Sequence, residues 1–132
     1  MAFQHKLPQA AVRNLQAAEA LYANPGHRRD VAGYLYGIAA ECAIKEMVKP
    51  IHVSSMHDKD KIFHAHFPEL RTLLRDALQG RNVKPLSIFV FNDAFMNNWH
   101  ISMRYADARQ ILERWVEIWQ SQAKDAVGKM GT

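Results

Sequence analysis

The chain has 132 residues, 48 % hydrophobic and 23 % charged, with few prolines and glycines and a formal net charge of +4. That length suits one domain that buries roughly 65 to 70 % of the surface its unfolded form exposes. The composition excludes disordered, collagen-like and disulfide-scaffold classes, and the charge permits an acidic partner without approaching a dedicated basic DNA-binding arm.

The single cysteine, Cys42, lies in an apolar run and reads as packing, in keeping with a reducing compartment. The start, MAFQHKLPQ, carries no apolar core of a signal peptide. The longest nearly uncharged run, Val31 to Ala40, falls short of the roughly 20 residues a membrane span needs. The expectation is a cytoplasmic protein with no membrane span.

A first helix is expected over Pro8 to Ala23, with Ala11, Leu15, Ala18 and Tyr22 along one stripe and the NPG of residues 24 to 26 ending it. A second runs from Val31 to Val48 with Asp30 as N-cap and Pro50 beyond its end. Val31, Leu35, Ile38, Ala39 and Cys42 form its apolar stripe. Tyr34, Tyr36, Ala40, Ala43 and Met47 widen that stripe until the helix reads as central. Gly33 and Gly37, costly in a helix by about 1 kcal/mol each, imply a close approach of another element.

Residues 50 to 66, PIHVSSMHDKDKIFHAH, read as a long polar loop. A third helix is expected over Pro68 to Gln79, with Leu70, Leu73, Leu74, Ala77 and Leu78 inward and Gly80 as its stop. The apolar LSIFVF within residues 81 to 98 has no partner strand, so Ser87 to Phe95 is read as a short helix or an irregular cover on the bundle. Asp107 and Gln110 have capping-box spacing. They open a last helix whose stripe is Ala108, Ile111, Leu112, Trp115, Ile118, Trp119 and Gln122, and residues 127–132 read as a fraying tail. Periodicity thus predicts an all-α chain, an antiparallel up-and-down bundle of four main helices with a short fifth, in a single domain over residues 1–132.

Candidate chemistry concentrates in NNWHISMRYAD, residues 97–107. On a helix His100 and Arg104, four apart, would share one face, an imidazole to move a proton and a guanidinium to hold phosphoryl oxygens. Trp99 and Tyr105 could stack bases, and Asn98 could read a base edge. Equally, Trp99, Met103 and Tyr105 suit bundle core, with Arg104 tied to a carboxylate such as Glu41.

Glu41 and Lys45 have ion-pair spacing inside the central helix and read as a structural pair. Four histidines, His52, His57, His64 and His66, stand near Asp58 and Asp60, but their spacing matches no strong zinc pattern, and no metal or cofactor is assigned. Arg71 and Arg75, one turn apart, form a basic edge able to follow a phosphate backbone.

Taken together, AGYLYGIAAECAIKEMV, HAHFPELRTLL and WHISMRYAD ahead of an amphipathic last helix resemble the HEPN superfamily of nucleotide-binding helical domains, over roughly residues 8 to 125. The likeness rests on Glu41 and Lys45, on the spacing of His66, Leu70 and Leu73, and on Trp99, Arg104 and Tyr105. It implies a helical bundle that forms a homodimer and acts in toxin–antitoxin or defence systems. Its members bind RNA or a nucleotide, or partner a minimal nucleotidyltransferase. Many relatives are metal-independent endoribonucleases whose arginine precedes a histidine by four to six residues. Here the order is reversed, His100 then Arg104, so the resemblance favours binding, with cleavage by His100 and Arg104 as the alternative. A third reading is a purely structural subunit that meets another protein through Trp115, Trp119 and the surface from Phe89 to Phe95.

Overall fold

The computed structural model describes residues 4–24, 28–53 and 55–131. Among these, all regular structure is helical: α1 (Leu7–Ala23), α2 (Arg29–Val48), α3 (Met56–His64), α4 (Glu69–Leu78), α5 (Leu86–Val90) and α6 (Glu113–Lys129), with 3-10 turns at Ile101–Tyr105 and Ala108–Gln110. Pro25 and Gly26, expected to stop the first helix, lie outside the described residues.

Helix α2 is the hub and packs chiefly against α1 and α6. Its buried side chains include Ala32, Tyr36, Ala39, Ala40, Ala43, Ile44, Met47 and Val48, distributed around the helix as a central element requires. Val31, placed on the apolar stripe from sequence, is exposed. Both helical glycines earn their place through indole rings. A Cβ on Gly37 would overlap the Trp99 ring, and one on Gly33 would sit 2.9 Å from Trp119 Cζ3. The approach also leaves the Gly33 carbonyl open to a hydrogen bond from Trp99 Nε1 at 3.1 Å.

Polar ties cross the same interfaces. The Tyr36 hydroxyl donates to Glu19 Oε1 at 2.6 Å, Gln120 Nε2 donates to the same oxygen at 2.8 Å, and the Tyr22 hydroxyl donates to Glu113 Oε1 at 2.7 Å. Burial and these carboxylates hold both phenols above the ordinary tyrosine range.

Several sequence expectations need correction. Asp30 is not the N-cap of α2 but sits in its first turn, held by Arg28 at 3.1 Å. The polar stretch 50–66 is not all loop. Ser55 Oγ accepts the Asp58 N–H and caps α3, and Lys59 Nζ fastens that helix to the carbonyls of Lys49 and Ile51. The Asp107–Gln110 capping box does form, but it closes the 3-10 turn Ala108–Gln110, and α6 starts only at Glu113. Ile111 and Trp119 of the expected stripe are buried, whereas Ile118 is exposed and Val116, Ala123 and Ala126 complete the inner face. Helix α6 continues past Ala126 to Lys129.

LSIFVF folds as α5 and the turn after it, burying Leu86, Phe89 and Val90. The chain from 91 to 99 is then pinned to α6. Gln122 accepts the Met96 N–H and donates to the Ala94 carbonyl, while Trp119 Nε1 donates to the Asn97 carbonyl. That clamp sets the direction in which Trp99 enters the core and the point at which His100 leaves it.

Candidate functional site

The site follows from two buried aromatics. Phe67 and Trp99 pack edge-on, their centroids 6.2 Å apart at 89°, and Trp99 also stacks on Tyr34 at 5.9 Å. His66 precedes the one and His100 follows the other. Core packing therefore delivers two histidines, distant in sequence, to a single cleft of about 390 Å³, with His64, Glu69 and Thr72 on one wall and Ile101 beside His100.

His66 is oriented from beneath. Glu41, on α2 and only 3 % exposed, has Oε1 2.8 Å from His66 Nδ1 and takes the Phe67 backbone N–H on Oε2, also at 2.8 Å. The imidazole itself is 44 % exposed. Burial raises the Glu41 pKa, and the hydrogen bonds from His66 and Phe67, with the charge of Lys45, oppose that rise. Lys45 is buried as well, and its pKa is lowered by that burial. Its charge reaches Glu41, but the ion-pair contact of Glu41 is made by His66 rather than by the expected Lys45.

His100 is held differently. It ends an extended residue ahead of the 3-10 turn and caps it, with Nδ1 accepting the Ser102 backbone N–H at 3.0 Å and lying 2.8 Å from Ser102 Oγ. The two rings are thus fixed through the same atom in opposite senses. In its neutral form His66, with Nδ1 facing a carboxylate, presents Nε2 as an acceptor, whereas neutral His100, with Nδ1 accepting an N–H, presents Nε2 as a donor.

The expected His100 and Arg104 pair is not formed. A 3-10 turn aligns positions three apart, so Arg104 falls in register with Ile101 rather than with His100. Its guanidinium lies 5.1 Å over the Tyr105 ring, and Tyr105 is 80 % exposed, giving a flat cationic and aromatic surface one turn along from the cleft edge at Ile101. Arg104 does not reach Glu41, whose partners are His66 and Phe67.

Trp99, expected to stack a base, is 2 % exposed and committed to the core. Asn98 is exposed in a left-handed conformation (φ 70°), where it shapes the turn before Trp99. Arg71 and Arg75 do not form a free basic edge. Arg71 donates to the carbonyls of Asn92 and Asp93, and Arg75 donates to the Val90 carbonyl and pairs with Asp93 at 2.7 Å, so both fasten α4 to the segment after α5.

Of the surface expected to meet another protein, Trp119, Phe89 and Phe95 are buried and Phe91 is exposed; Ile88 and Ile118, outside that expectation, are exposed as well. Cys42 is half-buried, and burial pushes its thiol up, away from reactivity. Among the described residues no three His, Cys, Asp or Glu side chains converge to hold a metal ion.

A larger cavity of about 600 Å³ lies between α3 and α4, lined by His52, Asp58, Lys61, Asp76 and Arg81. Its size exceeds its chemistry. Arg81 is occupied by the carbonyls of His52, Ala77 and Leu78, and acids and bases are mixed along its walls. The smaller cleft is the candidate site because a buried carboxylate is spent there on aiming an exposed imidazole.

The role of His66 with Glu41 is legible only weakly from sequence. Both stood out singly, but nothing in their 25-position separation links them. Matched against family models, curated proteins and solved structures, the chain finds no counterpart in any of them.

Proposed function

We propose that the chain is a HEPN-like domain that binds single-stranded RNA, with one phosphate and its ribose in the cleft between His66 and His100 and an adjacent base on the Arg104 and Tyr105 surface. The observation that carries this reading is the pairing of two oriented imidazoles on one cleft, one offering a lone pair and one an N–H. An N–H donor suits a phosphoryl oxygen, a lone pair suits a ribose hydroxyl, and the Glu69 carboxylate, acceptor only, suits a hydroxyl or a base amino group. The exposed ring of Tyr105 suits base stacking, which contributes roughly 1–3 kcal/mol per base.

As a HEPN-like chain it would form an antiparallel up-and-down bundle of four main helices and a symmetric dimer, with α6 near the two-fold axis, where Ile118 is exposed. It would serve a toxin–antitoxin or defence system, alone or beside a nucleotidyltransferase.

Fluorescence anisotropy with a labelled single-stranded RNA in EDTA tests the binding. Saturable binding that falls at least 10-fold in H66A/H100A and several-fold in Y105A is expected. Wild-type protein that leaves the RNA free at low salt, or a double variant that binds as tightly as wild type, removes the cleft as the binding site.

A further inference from the structure

We propose that acidification switches the cleft to tight RNA binding, His64 and His66 turning from hydrogen-bond acceptors into cationic donors while His100 keeps its sense. The proposal rests on the RNA-binding reading and adds the control of that same site.

The cleft does not end at His64. His64, Ala65 and Glu69 also line an adjoining cleft of about 330 Å³, whose other walls are His57, Asp60 and Lys61. The two join into one groove along the end of α3 and the start of α4, with four histidines on it: His57, His64, His66 and His100.

With its histidines neutral, that groove disfavours an anion. Asp60 and Lys61 face it from α3 and Glu69 from α4, all three exposed, so two carboxylates stand against one lysine. From α2 the buried Glu41 lies under His66, with the charge of Lys45 behind it. The histidines decide the balance, because imidazole is the side chain that gains charge as pH falls from about 8 to 5.

His64 and His66 are prepared for that charge in the same way. His66 Nδ1 lies 2.8 Å from Glu41 Oε1. His64 Nδ1 lies 2.9 Å from the Asp60 carbonyl oxygen, with the Asp60 carboxylate at 3.6 Å. In the neutral forms both rings donate from Nδ1 and leave Nε2 as the acceptor. Neither Nε2 has a hydrogen-bond partner among the described residues. A second proton therefore enters at the open nitrogen, leaves the Nδ1 bond intact, and finds an acidic side chain behind each ring.

His100 is anchored in the opposite sense. Its Nδ1 accepts the Ser102 backbone N–H at 3.0 Å, a donor that cannot reverse, so a proton at that nitrogen would break the cap of the 3-10 turn. His100 thus offers an Nε2 proton to a phosphoryl oxygen at either end of the pH range. His64 and His66 add theirs only on the acid side, as charge-assisted donors.

Fluorescence anisotropy of the full chain with a labelled oligouridine, in EDTA, tests the switch from pH 8 to pH 5.5. With hydroxyl ends, neither the bases nor the termini of this probe titrate in that range, so a change belongs to the protein. Affinity should rise at least about 10-fold. The slope of log K against log salt should steepen by about 0.7 for each histidine that gains a phosphate. H64Q/H66Q should bind within about 3-fold at the two ends of the range. H100Q should bind more weakly than wild type throughout and keep the rise. H57Q should keep it too, since His57 lines only the adjoining cleft.

The single variants H64Q and H66Q, each expected to lose part of the rise, guard against a fold defect confined to the double variant. Nitrogen-15 NMR of the wild type should show His64 and His66 gaining an Nε2 proton over the range while His100 Nδ1 stays bare. RNA bound equally at pH 8 and pH 5.5 overturns the switch and leaves the binding reading standing, whereas RNA bound at neither overturns both. A rise that survives in H64Q/H66Q, or that H57Q or H100Q abolishes, overturns the assignment to these two rings.

Discussion

Glu41 shows how one residue can be read correctly as important and wrongly as to its partner. An acid and a base four apart on an apolar helix suggest each other as partners, and Lys45 does act on Glu41 through its charge. The carboxylate nevertheless turns to His66 and the Phe67 N–H, groups that arrive from outside α2. The consequence is measurable. Burial raises the Glu41 pKa above its ordinary 4.5, against the pull of His66, Phe67 and Lys45. Between those two values the native chain binds more protons than the unfolded one, so this group's contribution is full below about pH 4.5 and is lost as pH rises through the native value. E41Q lacks that titration but keeps an acceptor for Phe67. The stability of wild type relative to E41Q, followed by urea denaturation, should therefore decline as pH rises from 4 towards 7. A difference that grows over that range would mean the fold prefers the carboxylate to be charged.

At the scale of elements, α2 is defined by what enters its glycines. Their cost in helix propensity is offset by the Trp99 and Trp119 rings, which lie where side chains would otherwise stand. Gly37→Ala should destabilise the protein by about 1–3 kcal/mol or more, since the Trp99 indole cannot yield without moving Phe67 and Tyr34. The thermal midpoint measures this, and an unchanged midpoint would show that Trp99 has room to shift. The same variant should displace His100, one residue along. The two short elements differ in legibility. α3 carried a readable cap, Ser55 with Asp58 three positions later, masked by histidines that suggested a solvated loop. The 3-10 turn from Ile101 offered no such sign, and treating it as α-helix aligned His100 with Arg104, which a tighter turn separates.

For the whole molecule, the net charge of +4 overstates the surface available to an anion. Arg71, Arg75 and Arg81 all donate to backbone carbonyls, and the Arg104 guanidinium lies over the Tyr105 ring. RNA binding measured near pH 8 should therefore weaken with salt along a shallow slope, about −1 to −2 in log K against log salt, as one to three phosphate contacts give for a single strand. A slope of −4 or steeper would place the RNA along a broader basic surface than the cleft.

The all-helical character, the span of α1, the centrality of α2 and its close-approach glycines were present in the sequence, because they depend on local periodicity and on the absence of a Cβ. Trp99 was recognisable as a landmark there but not as core or ligand, since both uses favour a large flat ring with one donor. Which residues meet was decided by tertiary structure alone. Phe67 against Trp99, far apart in the chain, fixes where His66 and His100 emerge, and Glu41 beneath them sets the sense of one hydrogen bond. A pattern along a chain carries the period of a helix, but the pairing of its faces depends on how the buried rings pack, and the two histidines inherit their positions from that packing.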